Sequence, residues 1–225
     1  MWVDTFIAPP CNKEIEILYE DKHLLLINKP SGLLSLSGKN PLNKDSVYER
    51  ILTHYPTMKM IHRLDFGTSG IMVIALSKRV NAHLSKQFQQ RSITKHYTAT
   101  LYGHLKDAEG LIDAPIARDE FPYQKICATE GKQAQSYYKV LDRNQDKMTG
   151  HKTTKVLFTP KTGRTHQLRI HSQSIGHPII GCDLYNLVVD GIDTQDLFDR
   201  LCLHASELVF LHPITNEEMK MECEY

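Results

Sequence analysis

Residues 71 to 76 read IMVIAL, an apolar run without a polar break. The run is too short to cross a bilayer, which takes about 20 residues. Bounded by turn residues, it reads as a buried strand, so the chain must build a sheet around it. Immediately before it stands the turn GTSG. Before the turn stand His62, Arg63 and Asp65, a base, a cation and an acid almost adjacent in sequence. Such groups beside a core segment need a reason, because a buried charge without a partner is costly. Asp65 next to small turn residues can act as a local cap or Asx-turn. It can equally act as a carboxylate nucleophile or base at a strand end.

The rest of the chain surrounds this strand with others. Residues 15 to 19 (IEILY) and 24 to 28 (LLLIN) read as strands about the turn EDKH, followed by a Pro/Gly/Ser loop, KPSGLLSLSGKNP. Residues 45 to 55 place Val47, Ile51, Leu52 and Tyr55 on one helical face, with Pro56 as the stop. Residues 79 to 91 place Val80, Leu84 and Phe88 at spacing four, an amphipathic helix with its basic side outward. Residues 95 to 103, 134 to 141 and 153 to 159 are rich in β-formers, and 201 to 211 hold one or two more strands. Residues 163 to 176 read as a helix ending at Gly176. Residues 117 to 132 are polar with two aromatics and read as a long functional loop. Strands and helices are interspersed without regular alternation. This predicts an α+β fold with a mixed, largely antiparallel sheet and flanking helices.

At 225 residues the chain is long enough for one large domain or two small ones. The N-terminal MWVDTFIAPPCNKE lacks the pattern of a signal peptide, so 1–14 reads as an irregular arm. The five cysteines are scattered and form no CxxC pair, which predicts free thiols in a reducing cytoplasm and neither disulfides nor zinc. The histidines form no HExxH, so no metal is expected. A net charge of +1 hides an uneven distribution. Residues 78 to 95 hold five Lys or Arg and no acid, and residues 147 to 182 hold six with four His and no acid. Residues 183 to 225 carry ten acids against Arg200 and Lys220. Two basic segments on one face would form a footprint for a polyanion; otherwise they are solvated faces.

Asp65 as a nucleophile must be ionised, and an arginine within hydrogen-bond range would keep it so. KTGRTHQLRIH offers Arg164 and Arg169. On one helix these would stand about 140° apart, so both cannot face one carboxylate. No GxSxG, GxxxxGK[ST] or GxGxxG is present.

Five blocks in order carry a resemblance: ILYEDKHLLLINKPSGLLS, HRLDFGTSGIMVIALSK, KHYTATLYG, TPKTGRTHQLRIHSQSIGHPIIGCDLY and LCLHASELVFLHP. The chain resembles the RluA-type RNA pseudouridine synthases, and within them the small dual-specificity members acting on tRNA and large-subunit rRNA. The resemblance implies a pseudouridine synthase fold with a central catalytic cleft in 15–225, and no separate N-terminal RNA-binding domain. It implies isomerisation of uridine to pseudouridine in stem-loop RNA without metal or organic cofactor. Residue by residue, Asp65 resembles the catalytic aspartate, Tyr97 the tyrosine against the target base, and Arg169 the ion-pair partner of Asp65. Arg63 resembles the arginine that takes the place of an extruded base, with His62 near it. Arg79, Lys86, Arg91 and Lys95 are expected to line an RNA groove. Arg164 is left for RNA or structure, and Arg118, Tyr123 and Lys125 are expected to touch the stem-loop. The partners implied are tRNA and/or large-subunit rRNA, with no membrane, for a cytoplasmic monomer. A tRNA-only synthase and a non-catalytic RNA-binding or folding protein are the alternatives. A hydrolase using Asp65 on a small phosphorylated substrate lacks a phosphate loop and metal ligands.

Overall fold

The structure is a computed structural model describing residues 6–189 and 191–224. In chain order its first elements are β1 (Glu16–Glu20), β2 (Leu24–Lys29), α1 (Val47–Leu52), β3 (Lys59–Met60), β4 (Ser69–Ala75) and α2 (Lys78–Gln90). Then come β5 (Thr94–Tyr102), β6 (Glu109–Asp113), β7 (Ile116–Arg118), β8 (Gln124–Ile126), β9 (Gln135–Gln145) and β10 (Lys152–Pro160). The chain ends with α3 (Gln167–Ser174), β11 (Val188–Val189), β12 (Ile192–Asp193), β13 (Leu203–Leu211) and β14 (Glu218–Glu222). It divides into two units, one holding the residues up to Thr94 and from Ala205 on, the other Lys95–His204.

In the first unit the strand order is β1-β2-β4-β13, with β14 on β13 and β3 on β4. The apolar run lies inside β4, and every residue of that strand is buried. Ile71, Val73 and Ala75 enter a cluster with Leu24, Leu26, Val80, Leu84, Leu208 and Phe210. Met72 and Ile74, which alternate with them, are fully buried as well. Both faces of the strand are covered, and that is why its sequence runs apolar instead of alternating. Gly70 has φ +113, and a Cβ there would stand 2.4 Å from the backbone oxygen of Ala205. Only glycine lets the strands approach this closely.

Helix α2 starts at Ser77, whose hydroxyl accepts from the Val80 amide at 3.3 Å. Val80 and Leu84 are buried as the four-residue spacing predicts. Helix α1 is shorter than its pattern: it stops at Leu52, before Tyr55 and Pro56.

In the second unit β5, β10, β9 and β6 lie side by side, all antiparallel. Ala99, Leu101, Val156, Phe158 and Tyr138 face a core shared with Leu168 and Ile170 of α3. Two expectations change here. The helix predicted over 163–176 spans only Gln167–Ser174. Residues 117 to 132 are not one long loop: β7 and β8 pair as a short hairpin within them. The predicted strands of 201–211 are a single strand, β13. Residues 6–15 carry neither helix nor strand. Residues 1–5 of that arm, with Asp190 and Tyr225 of the expected 15–225 domain, lie outside the described residues.

Candidate active site

The register of the first unit explains where Asp65 stands. Antiparallel pairing sets Lys29, the last residue of β2, opposite Gly70 near the start of β4. The loop leaving β2 and the turn entering β4 therefore emerge together, and they bond to each other. Ser35 Oγ donates to the Leu64 carbonyl at 2.7 Å and accepts from the Leu64 amide at 3.2 Å. The Thr68 amide donates to the Asp65 carbonyl at 3.1 Å, and the Gly32 amide to the Phe66 carbonyl at 3.0 Å. Ser31 Oγ donates to the Gly67 carbonyl at 2.6 Å. The successive carbonyls of residues 64 to 67 thus all have donors, and the half-buried Asp65 is carried on a main chain fixed at each peptide.

Lys29 completes this clamp, and nothing in the sequence reading singled it out. Its side chain is fully buried, and its ammonium donates to the carbonyls of Leu33 at 2.7 Å, Pro30 at 2.9 Å and Phe66 at 3.2 Å. Three donors meet three acceptors, which is how a buried ammonium is satisfied. Burial pushes its pKa down to about 7, while the Asp65 carboxylate pulls it upward. The signal available was a lone lysine ending LLLIN just before Pro-Ser-Gly, where the strand edge would let a solvated lysine turn away.

His62 accepts a hydrogen bond from the Val73 amide at 3.0 Å through Nε2, and its ring stacks on Phe88 of α2 at 4.8 Å. Those contacts fix the segment leading to Asp65 against β4 and α2. Arg63, between them, is exposed. Arg79 and Lys86 are exposed on α2, and Arg91 follows it as an exposed left-handed C-cap. The first turn of α2 has no acid, and Lys78 and Arg79 stand there against the helix dipole. That placement costs a few tenths of a kcal/mol (about 0.3–1 per charge) and serves an anion better than it serves the helix.

The remaining expected residues lie in the second unit. Tyr97 pairs with the fully buried Phe158 across β5 and β10 and packs, half-buried, against the core. Arg169 is buried inside α3. Its Nη2 is bonded to Asp183, its Nε donates to Cys182 Sγ at 3.4 Å, and its guanidinium lies 5.4 Å from the Tyr185 ring centroid. Tyr185 was another residue given no role. Its hydroxyl accepts from the Gln124 amide at 2.8 Å and meets His166 Nδ1 at 2.9 Å. Tyr185 therefore joins the β7–β8 hairpin, with exposed Arg118, Tyr123 and Lys125, to the collar around Arg169. Its place in GCDLY, close behind the HQLRIH helix, was the signal.

Arg164 is not on the helix with Arg169, so their separation around a helix does not arise. Arg164 sits in the preceding turn, where its Nε donates to the Gln133 carbonyl at 3.1 Å. Gln167 ends that turn: its Oε1 accepts from Thr162 Oγ1 at 2.7 Å and the Arg164 amide at 3.0 Å. His171, fully buried, continues the network to Ser136 at 2.9 Å and to the Ala114 carbonyl at 2.9 Å, and burial lowers its pKa. Lys95 is half-buried on β5. A cavity of about 510 Å³ near Asp183 is lined also by Asp196 and Asp199, which makes it a poor seat for phosphate. Among the described residues no group of three or more His, Cys, Asp or Glu could hold a metal ion. Among them, too, no helix is long and apolar enough to cross a membrane.

The fold is shared with solved pseudouridylate synthase structures. The human RNA pseudouridylate synthase domain containing 1 has a solved structure that matches with a TM-score of 0.78 at 28% identity, covering 96% of this chain and 86% of that one. The dual-specificity RNA pseudouridine synthase RluA of Yersinia pestis is 43% identical over 210 residues, 92% of this chain and 98% of that protein. The RluA of Escherichia coli strain K12 is 41% identical over 213 residues, 94% of this chain and 93% of that protein. The family model for RNA pseudouridylate synthase matches residues 23–174, which include Asp65, Tyr97 and Arg169. The chain belongs to the RNA pseudouridylate synthase family, and its activity is the isomerisation of uridine in RNA to pseudouridine.

Proposed function

We propose that Asp65 is the catalytic carboxylate, and that the substrates are uridines in tRNA anticodon stem-loops and in hairpins of large-subunit rRNA. The observation that carries the first part is the fixed main chain of residues 64 to 67, which holds one acid in one place before substrate arrives. Such preorganisation is what a carboxylate acting on a bound sugar or base requires. The second part rests on the dual specificity in the names of the relatives and on the RNA classes implied by the resemblance.

In the reaction the C1′–N1 bond breaks, the base turns, and C1′ joins C5. The C5 proton leaves to solvent and N1 takes one up. Atoms and electrons balance without a redox partner or group donor. Tyr97 packs on the base and assists removal of the C5 proton. Arg169 takes the role of the partnering cation, as the resemblance implies. Arg63, exposed beside Asp65, takes the space of the extruded base and offsets part of the few kcal/mol that extrusion costs. His62 holds the segment on which both stand. Arg79, Lys86, Arg91, Lys95 and Arg164 meet phosphates, while Arg118 and Lys125 meet the loop of the RNA. Residues 15–225 act as one catalytic domain, as a monomer in the cytoplasm, where five free thiols are at home.

The test is tritium release from unmodified tRNA and rRNA labelled at uridine C5. Wild type releases tritium from both. Asp65→Asn releases none yet retains RNA binding. Full-rate release by Asp65→Asn would end the assignment, and release from one RNA alone would narrow the substrate to that class.

A further inference from the structure

The N-terminal arm has no role in the reaction as described, yet among its described residues Phe6, Ala8, Cys11 and Lys13 are tied down. Asn43, itself buried, accepts from the Ala8 amide at 2.8 Å and donates to the Phe6 carbonyl at 2.7 Å. That is a two-sided grip on the arm's backbone. Further along, Arg50 donates to the carbonyls of Cys11 at 2.5 Å and Lys13 at 2.7 Å. Asp45 holds the same guanidinium by bonds of 2.6 Å to Nε and Nη2. These grips belong to residues far along the chain and not to local turns. They commit the arm to one course.

On that course Phe6 meets Phe66 edge to face, the ring centroids 5.4 Å apart and the planes at 76°. Phe66 directly follows Asp65. Its carbonyl is already held by Lys29 and Gly32, so its main chain is fixed while its ring is half-buried. The Phe6 ring therefore acts on the Phe66 side chain, which those main-chain bonds do not hold. Phe6 itself is 45% exposed, so it adds little to any core. A large aromatic left half in solvent, on a gripped strap, is placed for contact with its neighbour.

We propose that the arm is a strap that positions Asp65: Phe6, held by Asn43 and Arg50, restrains Phe66 and with it the rotation of the catalytic turn. Phe6 is a positioning residue and does not touch RNA. The proposal rests on Asp65 being the catalytic carboxylate.

The experiment compares wild type, Phe6→Ala, Phe6→Tyr, Asn43→Ala and Asp65→Asn by tritium release from a C5-labelled anticodon stem-loop, with kcat and KM resolved and melting temperature recorded. Phe6→Ala lowers kcat about tenfold, as a displaced catalytic group does, with KM and melting temperature within error of wild type. Phe6→Tyr restores the rate, because it keeps the ring edge. Asn43→Ala lowers kcat in the same direction. An unchanged kcat in Phe6→Ala, or a rise in KM alone, overturns the strap. Asp65→Asn separates the two ideas: activity in that variant defeats the catalytic assignment, whereas a dead Asp65→Asn beside a full-rate Phe6→Ala defeats only the strap.

Discussion

The turn of Asp65 and the helix of Arg169 hold a charged residue in opposite ways. Around Asp65 the protein fixes backbone: the carbonyls of residues 64 to 67 are bonded one after another, mostly by side chains and amides of the loop after β2. Around Arg169 it fixes the side chain, through Asp183, Cys182 and the face of Tyr185. The difference follows from length. An aspartate is short, so its carboxylate goes where its Cα goes. An arginine is long and flexible, and only contacts at the guanidinium fix its end. A short charged group is positioned from behind and a long one from the front.

If that contrast is right, the largest loss should come from Lys29, which closes the backbone clamp. Lys29→Met leaves the Pro30 and Leu33 carbonyls without a donor, takes one of two donors from Phe66, and should cost about 3 kcal/mol in unfolding free energy, read by urea denaturation at pH 7. The pH dependence has a definite sign. The folded Lys29 titrates near 7 against an ordinary 10.5, so between those values the unfolded chain binds more protons. Wild type should therefore gain on the variant as pH rises from 7 towards 10, by up to about 1.4 kcal/mol per pH unit. A gap that stays flat from pH 7 to pH 10 would mean the ammonium is the favoured buried form. Ser35→Ala should cost less, about 1–2 kcal/mol, since it strands the amide and carbonyl of Leu64 alone, and thermal melting measures it.

On the other side, Arg169→Lys keeps the charge and loses the planar fork. It should lower stability by only about 1 kcal/mol while reducing turnover at least tenfold, measured by the same tritium assay. The smallest effect should be that of Asp183→Asn. The Asp183 side chain is 63% exposed, so its pair with Arg169 is worth at most about 1 kcal/mol. Equal losses in Lys29→Met and Asp183→Asn would erase the contrast.

What the sequence made legible was whatever burial writes into local order. The strand at 71–76 could be read because both its faces are covered, and α2 because Val80 and Leu84 share one buried stripe. Phe88 was read on that stripe too, and its ring turns out to serve His62. Long-range hydrogen bonds leave no such trace. Lys29 reaches a carbonyl 37 residues away, and Ser35 one 29 away, so both looked like ordinary loop residues. The start of α3 was misplaced because Gln167 turns inward to Thr162 and the Arg164 amide, and the left-handed His166 before it offers no capping side chain that a sequence could announce. The β7–β8 hairpin was missed because strands of three residues are too short for a period to show. Local pattern put Asp65 forward as either a turn cap or an active carboxylate and left Arg164 and Arg169 both open as its partner; the resemblance chose among these and alone picked out Tyr97, which by pattern reads as a core aromatic.

A turn in which each successive carbonyl has its own donor has no slack. An inserted residue would shift every partner by one, and a deleted one would leave a hydroxyl or an ammonium facing nothing. In descent such a segment can change side chains but hardly its length. The tip of the β7–β8 hairpin and the residues between β9 and β10 carry mainly bonds within themselves, so they can lengthen or shorten without disturbing that frame. Changes in the RNAs accepted by descendants of this chain should therefore begin in those two places, while the chemistry is passed on intact.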